Sequence, residues 1–257
     1  MSGFTDAELY RRGGDTLLAS WAAYAEGAAG ASLERLPGVA AAVFPAGFER
    51  TVYNNALLEH GLGPGDRATA LDAMQDAYAT AGIGHFAAWV HESDQAMRGE
   101  LEQRGYVLDT TTRAMGMNLD DIAGPRPEIA LGPEIALGPE TWAEYLALAG
   151  LPPGFLRGAD HAAFHVLVAR MDGEMVAAAL AYDFGDDCGI YNVETVEKAR
   201  RRGLGTALTA AQVHDARDRG CRTASLQSTE MAERVYAAVG FRDLGRILEY
   251  VPVEGQR

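Results

Sequence analysis

Three consecutive arginines, Arg200 to Arg202, are followed at once by the glycine-spaced run Gly203-Leu204-Gly205. Arginine carries a fixed positive charge and a forked set of N–H donors that matches the oxygens of a phosphate. Glycine has no Cβ, so a bound anion can approach the main chain closely. These residue types at this spacing are therefore suited to holding a phosphorylated group.

Two predicted elements would position this run. The apolar segment CGIYNVET predicts a strand before the arginines, and the Ala/Leu-rich segment from Gly203 to Arg219 predicts a helix after them. Arg200 to Gly205 then lies at a strand-to-helix turn, where unpaired N–H groups and the positive end of the helix dipole attract anions. A purely structural helix start would favour Asp or Glu there, because cations oppose the dipole. A solvated surface charge run remains the alternative.

The composition excludes several other uses of an arginine run. The 257 residues carry a net charge of −14, which argues against a nucleic-acid binder. The N-terminus is polar and acidic, unlike a signal peptide, and no apolar run approaches the ~20 residues of a membrane span. The two cysteines, Cys188 and Cys221, form neither a metal-ligand spacing nor a disulfide scaffold. We expect a cytoplasmic protein.

The predicted elements indicate two α/β halves. The segment AGPRPEIALGPEIALGPETW repeats PEIALG and is rich in Pro and Gly, which predicts a boundary. We therefore predict a first domain over 1–124, a linker or first strand over 125–140, and a second domain over 141–257. After its first helix, the second domain has the predicted order β-β-β-α-β-α-β, which indicates helices packed on a mixed sheet.

The two halves echo each other in sequence. When Gly105-Tyr106 is laid on Gly240-Phe241, Ser93 falls on Ser228 and Leu101 falls on Tyr236. Each half then contains a helix, a glycine, a strand, a second helix, a Gly-aromatic pair and a final strand. This pattern is typical of an old duplication whose halves have diverged.

Two motifs in the second half resemble those of a known family. The pattern R-x-x-G-x-G at Arg200, Gly203 and Gly205 resembles the signature with which the GNAT superfamily of acyl-CoA-dependent N-acetyltransferases cradles the pyrophosphate of coenzyme A. The run LQSTEMAERVYAAVGF resembles the family's next segment, a strand followed by a helix with A-x-x-x-Y-x-x-x-G-F. The resemblance implies two GNAT-like halves, each a mixed, mostly antiparallel sheet flanked by helices.

The first half resembles the same family only in outline. The place that corresponds to RRRGLGT reads GPGDRA, where Pro64 removes one backbone donor and Asp66 would repel a phosphate. Leu101 stands where the family's tyrosine would be. The resemblance therefore implies a tandem protein with a degenerate N-terminal half and a catalytic C-terminal half.

The resemblance also implies the site. Acetyl-CoA would be the co-substrate, with no metal, and Tyr236 would be the acid that protonates the leaving thiolate, although Tyr236 also suits a core position. Glu194 stands where the family often has a small residue. It is a candidate base or amine-binding group, or a substitution without a functional role. The residues implied to bind the cofactor are Val193, Thr195, Val196, Arg200, Arg201, Arg202, Gly203, Leu204, Gly205, Thr206 and Thr229. Strand alternation places Asn192 and Glu194 on one face and Tyr191 and Val193 on the other, unless a bulge intervenes.

The implied reaction moves an acetyl group from acetyl-CoA directly to a primary amine of a small molecule within a ternary complex. Two alternatives stay open, a non-catalytic acyl-CoA-binding or regulatory module and a protein N-terminal acetyltransferase. We expect no nucleic-acid or membrane partner. A homodimer is also open, because the short C-terminal strand could be completed by a partner or by the other half. His161 and His165 lie one helical turn apart, but no third metal ligand follows at a recognisable spacing.

Overall fold

A computed structural model describes residues 3–45, 53–122, 124–127, 133–134, 139–151 and 158–253. Within them the helices are α1 (Asp6–Gly27), α2 (Pro64–Thr80), α3 (Gln95–Gln103), α4 (Pro139–Leu148), α5 (Leu204–Asp218) and α6 (Glu233–Val239). The strands are β1 (Ser32–Leu36), β2 (Val39–Val43), β3 (Asn55–Leu58), β4 (Ala87–His91), β5 (Tyr106–Asn118), β6 (Pro133–Glu134), β7 (Phe164–Met171), β8 (Glu174–Phe184), β9 (Asp187–Thr195), β10 (Thr223–Ser228) and β11 (Arg242–Pro252). No helix in the described part of the chain is long and apolar enough to cross a membrane.

The contacts divide the chain into two compact units. Unit 1 comprises Met1–Ser20 and Ala114–Leu244, and unit 2 comprises Trp21–Arg113 and Gly245–Arg257. The divisions fall inside α1, β5 and β11. Most of the repeated PEIALG segment lies outside the described residues, so the boundary over 125–140 stays a prediction.

Unit 1 contains a mixed sheet with the strand order β5-β10-β9-β8-β7-β6. β6 to β9 pair antiparallel in sequence, and β10 pairs parallel with β9. The Met-Asp-Gly-Glu run between two apolar segments predicts a hairpin, and β7 and β8 form it. Its turn has left-handed backbone at Asp172 and Gly173. The α/β class with a mixed, mostly antiparallel sheet is confirmed as well.

The helix α5 covers one face of the unit 1 sheet. Its buried residues Leu204, Leu208 and Ala211 pack with small side chains of β8, such as Ala177 and Ala179. Small residues on the strand let the helix approach the sheet closely. This packing fixes the position of α5 on the sheet, and its N-terminus is held next to the end of β9.

The first part of α1 also belongs to unit 1. Asp187 at the start of β9 is buried and accepts hydrogen bonds from the hydroxyls of Thr16 (2.7 Å), Thr223 (2.6 Å) and Ser225 (2.8 Å). Arg12 donates to the Thr223 hydroxyl at 2.9 Å. These contacts anchor α1 to the two strands that flank the predicted site.

Unit 2 has the strand order β1-β2-β3-β4-β11-β5. Residues Ile247–Tyr250 of β11 lie antiparallel to Ala88–His91 of β4. The C-terminal strand is thus paired with a strand from the first half of the same chain, which is one of the two ways of completing it that the sequence left open. The helices α2 and α3 bury Leu71, Met74 and Leu101 in the core of this unit.

The sequence patterns predict a helix from Ala68, a helix with Ser93 or Asp94 as its N-cap, and a helix over Glu230 to Val239. Two of these helices begin elsewhere in the structure. α2 begins at Pro64 rather than Ala68, because proline at the first turn gives up no hydrogen bond that the helix needs. Asp94 is the N-cap of α3, and its carboxylate accepts from the Met97 amide at 3.0 Å. α6 begins at Glu233, three residues later than predicted, because a turn closed by the Ala232 amide and the Thr229 carbonyl precedes it.

Candidate active site

The turn between β9 and α5 has an open backbone at its centre. Gly203 is left-handed (φ 76°), and no atom beyond its chain neighbours lies within 4 Å of the place that a Cβ would occupy. α5 begins at Leu204 with no side-chain cap, so the N–H groups of its first turn have no acceptor inside the helix. An anion can reach main-chain donors here.

The three arginines surround this open turn and are exposed. The Arg200 Nε donates to the Thr195 carbonyl at 3.1 Å, and the Arg202 guanidinium lies 3.5 Å from the Met171 sulfur. Arg201 has a left-handed φ of 62°, which is uncommon for a residue with a Cβ. The positive charges are therefore held beside the helix N-terminus, where the sequence predicted them.

A gap opens between β9 and β10 next to the same turn. Their parallel ladder comprises three pairs and ends at Gly189 opposite Ser225. β9 then continues to Thr195 and β10 to Ser228 without further pairing to each other, while β9 stays paired with β8. The backbone groups that face the gap are left available for an extended ligand.

A β-bulge lies in the part of β9 that is paired with β8 but not with β10. The register with β8 shifts between the pairs Ala178–Glu194 and Leu180–Tyr191, so β9 contains one extra residue. Asn192 lies in this stretch with a left-handed φ of 48°. The bulge breaks the simple alternation of the strand.

The bulge decides which side chains share a face. Val193 packs against the α5 side, where a Cβ on Gly205 would lie 3.8 Å from its Cγ1. The Tyr191 ring instead lies over Gly189 and near Ser20 of α1. The bulge that was allowed for as an exception is therefore present, and Tyr191 and Val193 lie on different faces because the extra residue inverts the alternation. Asn192 and Glu194 both lie near Tyr145, as expected for a common face.

The charge of Glu194 on β9 acts on the hydroxyl of Tyr236 on α6. The Glu194 residue is exposed as a whole, but its carboxyl is partly desolvated, which raises its pKa, while the Arg200 guanidinium opposes that rise. Tyr236 is 8% exposed, and burial together with the Glu194 charge raises the pKa of its hydroxyl to about 12. A partly desolvated carboxyl beside a protonated phenol can take up a proton and give one up.

The sequence and fold of the part that carries this site match known acetyltransferases. Residues 135–241 match the model of the acetyltransferase (GNAT) family. The matched range includes the arginine-glycine turn, the bulged strand and Tyr236.

Solved structures show a likeness in fold that reaches beyond that range. A GCN5-related N-acetyltransferase from Kribbella flavida has a TM-score of 0.72 and 18% identity, over 99% of this chain and 98% of its own. Another from Sphaerobacter thermophilus has a TM-score of 0.58 and 21% identity, over 83% and 80%. A tandem GNAT protein from the clavulanic acid biosynthesis pathway has a TM-score of 0.58 and 15% identity, over 82% and 77%. At these identities the likeness shows the fold. No curated protein matches the chain.

The other residues predicted to bind the cofactor lie at the end of β9, at the start of α5 and at the end of β10. The Val196 amide already donates to the Val176 carbonyl at 2.9 Å, so it is not available as a donor to a ligand. Thr195 offers its carbonyl to Arg200. Thr229 is exposed where β10 ends, and its carbonyl closes the turn before α6. Leu204 is buried, so only its backbone can serve a ligand, whereas Gly205 and Thr206 are half-buried.

Tyr236 fits both of the roles weighed for it from the sequence. Its ring packs in the core of the GNAT unit and meets Phe241 at 6.2 Å between centroids. Its hydroxyl end lies within electrostatic reach of Glu194. The two roles are compatible, because a packed ring fixes the position of the hydroxyl.

Sequence reasoning missed Tyr145 of α4. The Asn192 side-chain amide donates to the Tyr145 hydroxyl at 3.2 Å, and the Glu194 charge helps to raise the pKa of that hydroxyl. The helical pattern of TWAEYLALAG predicted α4, but nothing in the pattern shows that Tyr145 meets β9. His161 and His165 form no metal cluster with a third ligand among the described residues.

The corresponding place in unit 2 is tied by side chains. The Gly61 amide, just before α2, donates to the Asp94 carboxylate at 2.9 Å. The His60 Nε2 lies 3.0 Å from the Ser93 hydroxyl oxygen. These bonds link the segment after β3 to the segment after β4. The Gly61 amide therefore already has the Asp94 carboxylate as its acceptor.

Proposed function

We propose that the chain transfers an acetyl group from acetyl-CoA directly to a primary amine of a small molecule, in a ternary complex formed on unit 1. The observation that carries the proposal is the open, uncapped turn at Gly203 beside the point where the β9–β10 ladder ends. A merely structural helix start would need neither the open turn nor the early end of the ladder. The non-catalytic module and the protein N-terminal acetyltransferase are the alternatives that the experiments below separate.

The cofactor residues fit the shape and charge of coenzyme A. The N–H groups of Gly203, Gly205 and Thr206 would meet the pyrophosphate at the uncapped start of α5, and Arg200 to Arg202 would supply the charge. The missing Cβ of Gly203 leaves the close approach that this contact requires. The unpaired part of β9, with Val193 and Thr195, would line the pantetheine arm, and Thr229 would lie across the gap.

Acetyl-CoA would supply an acetyl group that a neutral amine can attack. Glu194 would accept the proton that the amine loses, directly or through water, because its raised pKa makes it a better base than an exposed carboxylate. Tyr236 is protonated at neutral pH and would donate its proton to the departing sulfur. Backbone N–H groups of the bulged segment would polarise the carbonyl of the acetyl group.

The Glu194 carboxylate also supports an amine acceptor. An ammonium ion is drawn to a negative charge in a partly desolvated site, and the net charge of −14 favours the approach of cations. The exposed gap suits a small molecule that can enter beside Arg200. A polyamine or an amino sugar has the required chemistry.

Unit 2, in the same proposal, binds no cofactor. Pro64 and Asp66 stand at the start of α2, and the Gly61 and Asp94 bond ties the place where an anion would lie. We therefore expect one acetyl-CoA per chain. Calorimetry that returned two sites per chain would remove this part of the proposal.

The first experiment titrates acetyl-CoA into the wild type and Gly203→Glu. Any side chain at Gly203 strains the left-handed backbone, so Gly203→Ala is the control that keeps this strain without the charge. Gly185→Glu is a second control, because Gly185 is left-handed and equally open but lies in the β8–β9 turn. We expect acetyl-CoA to bind the wild type, Gly203→Ala to weaken that binding, Gly203→Glu to abolish it, and Gly185→Glu to leave it unchanged. Absent wild-type binding would refute the proposal.

Turnover separates the enzyme from the alternatives. Release of free coenzyme A is followed with a thiol reagent against polyamines, amino sugars and N-terminal peptides. Wild-type turnover with a small amine that falls in Glu194→Gln and Tyr236→Phe supports the proposal. Turnover with peptides alone indicates the N-terminal acetyltransferase. Tight binding without turnover across these acceptor classes indicates the non-catalytic module.

A further inference from the structure

The bulged part of β9 is held by a residue outside the strand. Asn192 is left-handed, a conformation that residues with a Cβ adopt rarely and keep when neighbouring groups hold it. Asn adopts this conformation more readily than most residues with a Cβ, and here its side chain is also held. Its side-chain amide donates to the Tyr145 hydroxyl at 3.2 Å. This bond joins residues 47 positions apart and connects α4 to the centre of the predicted site.

The Tyr145 hydroxyl is itself firmly placed. Tyr145 is 1% exposed, and its ring lies 5.3 Å from the ring of Trp142, one turn earlier in α4. Trp142 in turn stacks on Phe164 of β7 at 5.8 Å. The neighbouring Glu144 makes two bonds to the Arg170 guanidinium, at 2.9 and 2.7 Å, which tie α4 to β7. A hydroxyl on such a support can fix the group that bonds to it.

The geometry of the bulge controls the groups that would act on the substrate. The extra residue turns Val193 toward α5 and leaves Asn192 and Glu194 on the side of Tyr145. It also sets the direction of the backbone N–H groups that face the gap beyond Gly189. A shift at Asn192 would therefore move the base and the carbonyl-polarising donors together.

We propose that Tyr145 is a positioning residue, whose hydroxyl holds Asn192 in its left-handed conformation and so fixes the bulge that places Glu194 opposite Tyr236. This inference rests on the proposed function for its effect on rate. Tyr145 itself touches no reacting atom in this account. It acts through Asn192, and its hydroxyl is needed more than its ring.

The test removes the hydroxyl and keeps the ring. Tyr145→Phe is expected to lower kcat about tenfold or more, because misplacing catalytic groups by a fraction of an ångström is costly. The affinity for acetyl-CoA, measured by calorimetry, should change by less than about twofold, because the α5 turn is untouched. Tyr182→Phe is the matched control, since it removes a tyrosine hydroxyl from the same aromatic group on β8.

A second background isolates the bond. Asn192→Gly accepts the left-handed conformation without support, so the Tyr145 hydroxyl has nothing to hold there. Adding Tyr145→Phe to Asn192→Gly should then cost less than about twofold in kcat, as a double-mutant cycle measures. An equal loss of kcat in both backgrounds would overturn the inference.

A readout without turnover keeps the inference separate from the proposed function. Hydrogen–deuterium exchange of the peptide 187–195 should become faster in Tyr145→Phe and stay unchanged in Tyr182→Phe. Unchanged exchange in Tyr145→Phe would overturn the positioning role, whatever the activity. If the wild type binds no acetyl-CoA, the proposed function fails, and the exchange result still decides whether Tyr145 holds the bulge.

Discussion

The carboxyl of Glu194 and the hydroxyl of Tyr236 lie close enough that the charge on one raises the pKa of the other. Glu194 lies on the part of β9 that extends beyond its short ladder with β10, and Tyr236 lies on α6. The partly desolvated carboxyl has a raised pKa, and the buried phenol keeps its proton at neutral pH. In the proposed reaction the pair would divide the acid and base roles between two elements.

The pH dependence of the reaction tests Glu194. A base works only when deprotonated, so kcat/KM should rise with pH through the pKa of Glu194, which lies above the ordinary value of 4.5. Glu194→Gln should lose this acid limb and about a hundredfold or more in kcat/KM. Glu197→Gln is the control, because Glu197 is exposed just after β9. A limb that survives in Glu194→Gln would show that another group is the base.

Removing the Tyr236 hydroxyl should slow the chemical step. Tyr236→Phe keeps the ring that packs against Phe241, so the fold and the affinity for acetyl-CoA should be retained. We expect kcat to fall about a hundredfold, which is typical of a lost general acid. Rapid kinetics with a good acceptor and calorimetry measure the two quantities. Unchanged kcat would leave Tyr236 with the core role alone.

The buried carboxylate of Asp187 should contribute strongly to stability. Asp187→Ala would leave the hydroxyls of Thr16, Thr223 and Ser225 without their acceptor, which we expect to cost about 3 kcal/mol in the free energy of unfolding. Asp218→Ala is the control, because that side chain is 73% exposed. Chemical denaturation measures both, and a loss under about 1 kcal/mol for Asp187→Ala would contradict the expectation.

A buried acid in unit 2 should make stability fall as pH rises. Burial raises the pKa of Glu249 from 4.5 to about 7, with the nearby Asp109 adding to the rise and the Thr112 hydroxyl opposing it. Between these two values the unfolded chain loses the proton while the folded chain keeps it. The folded state is therefore penalised progressively up to about pH 7, and by about 3 kcal/mol above it.

Glu249→Gln removes this penalty and supplies the measurement. Its free energy of unfolding should match the wild type near pH 4.5 and exceed it by up to about 3 kcal/mol at pH 8. Glu59→Gln is the control, because Glu59 is exposed in the same unit. A difference between Glu249→Gln and the wild type that does not change with pH would show that Glu249 does not titrate in this range.

Local features of the chain were predictable where they depend on interactions between residues that are near neighbours in the sequence. The Arg200–Gly205 turn could be placed from a strand pattern, a helix pattern and two glycines, and all of these are interactions of near neighbours. The β7–β8 hairpin followed from Met-Asp-Gly-Glu for the same reason. The GNAT resemblance was readable because its two motifs lie in one continuous segment that ends at Phe241.

Only the tertiary structure brought distant residues to the site. The bulge at Asn192 reversed the predicted relation of Tyr191 and Val193, because one extra residue inverts the alternation of a strand. Tyr145 meets Asn192, and Thr16 meets Asp187, across separations of 47 and 171 residues that no local pattern encodes. The sequence by itself determined the Arg200–Gly205 turn and the fold class, since both depend on local patterns of residues. The tertiary structure decided how β9 is bent and held, since that depends on which side chains meet after the chain has packed.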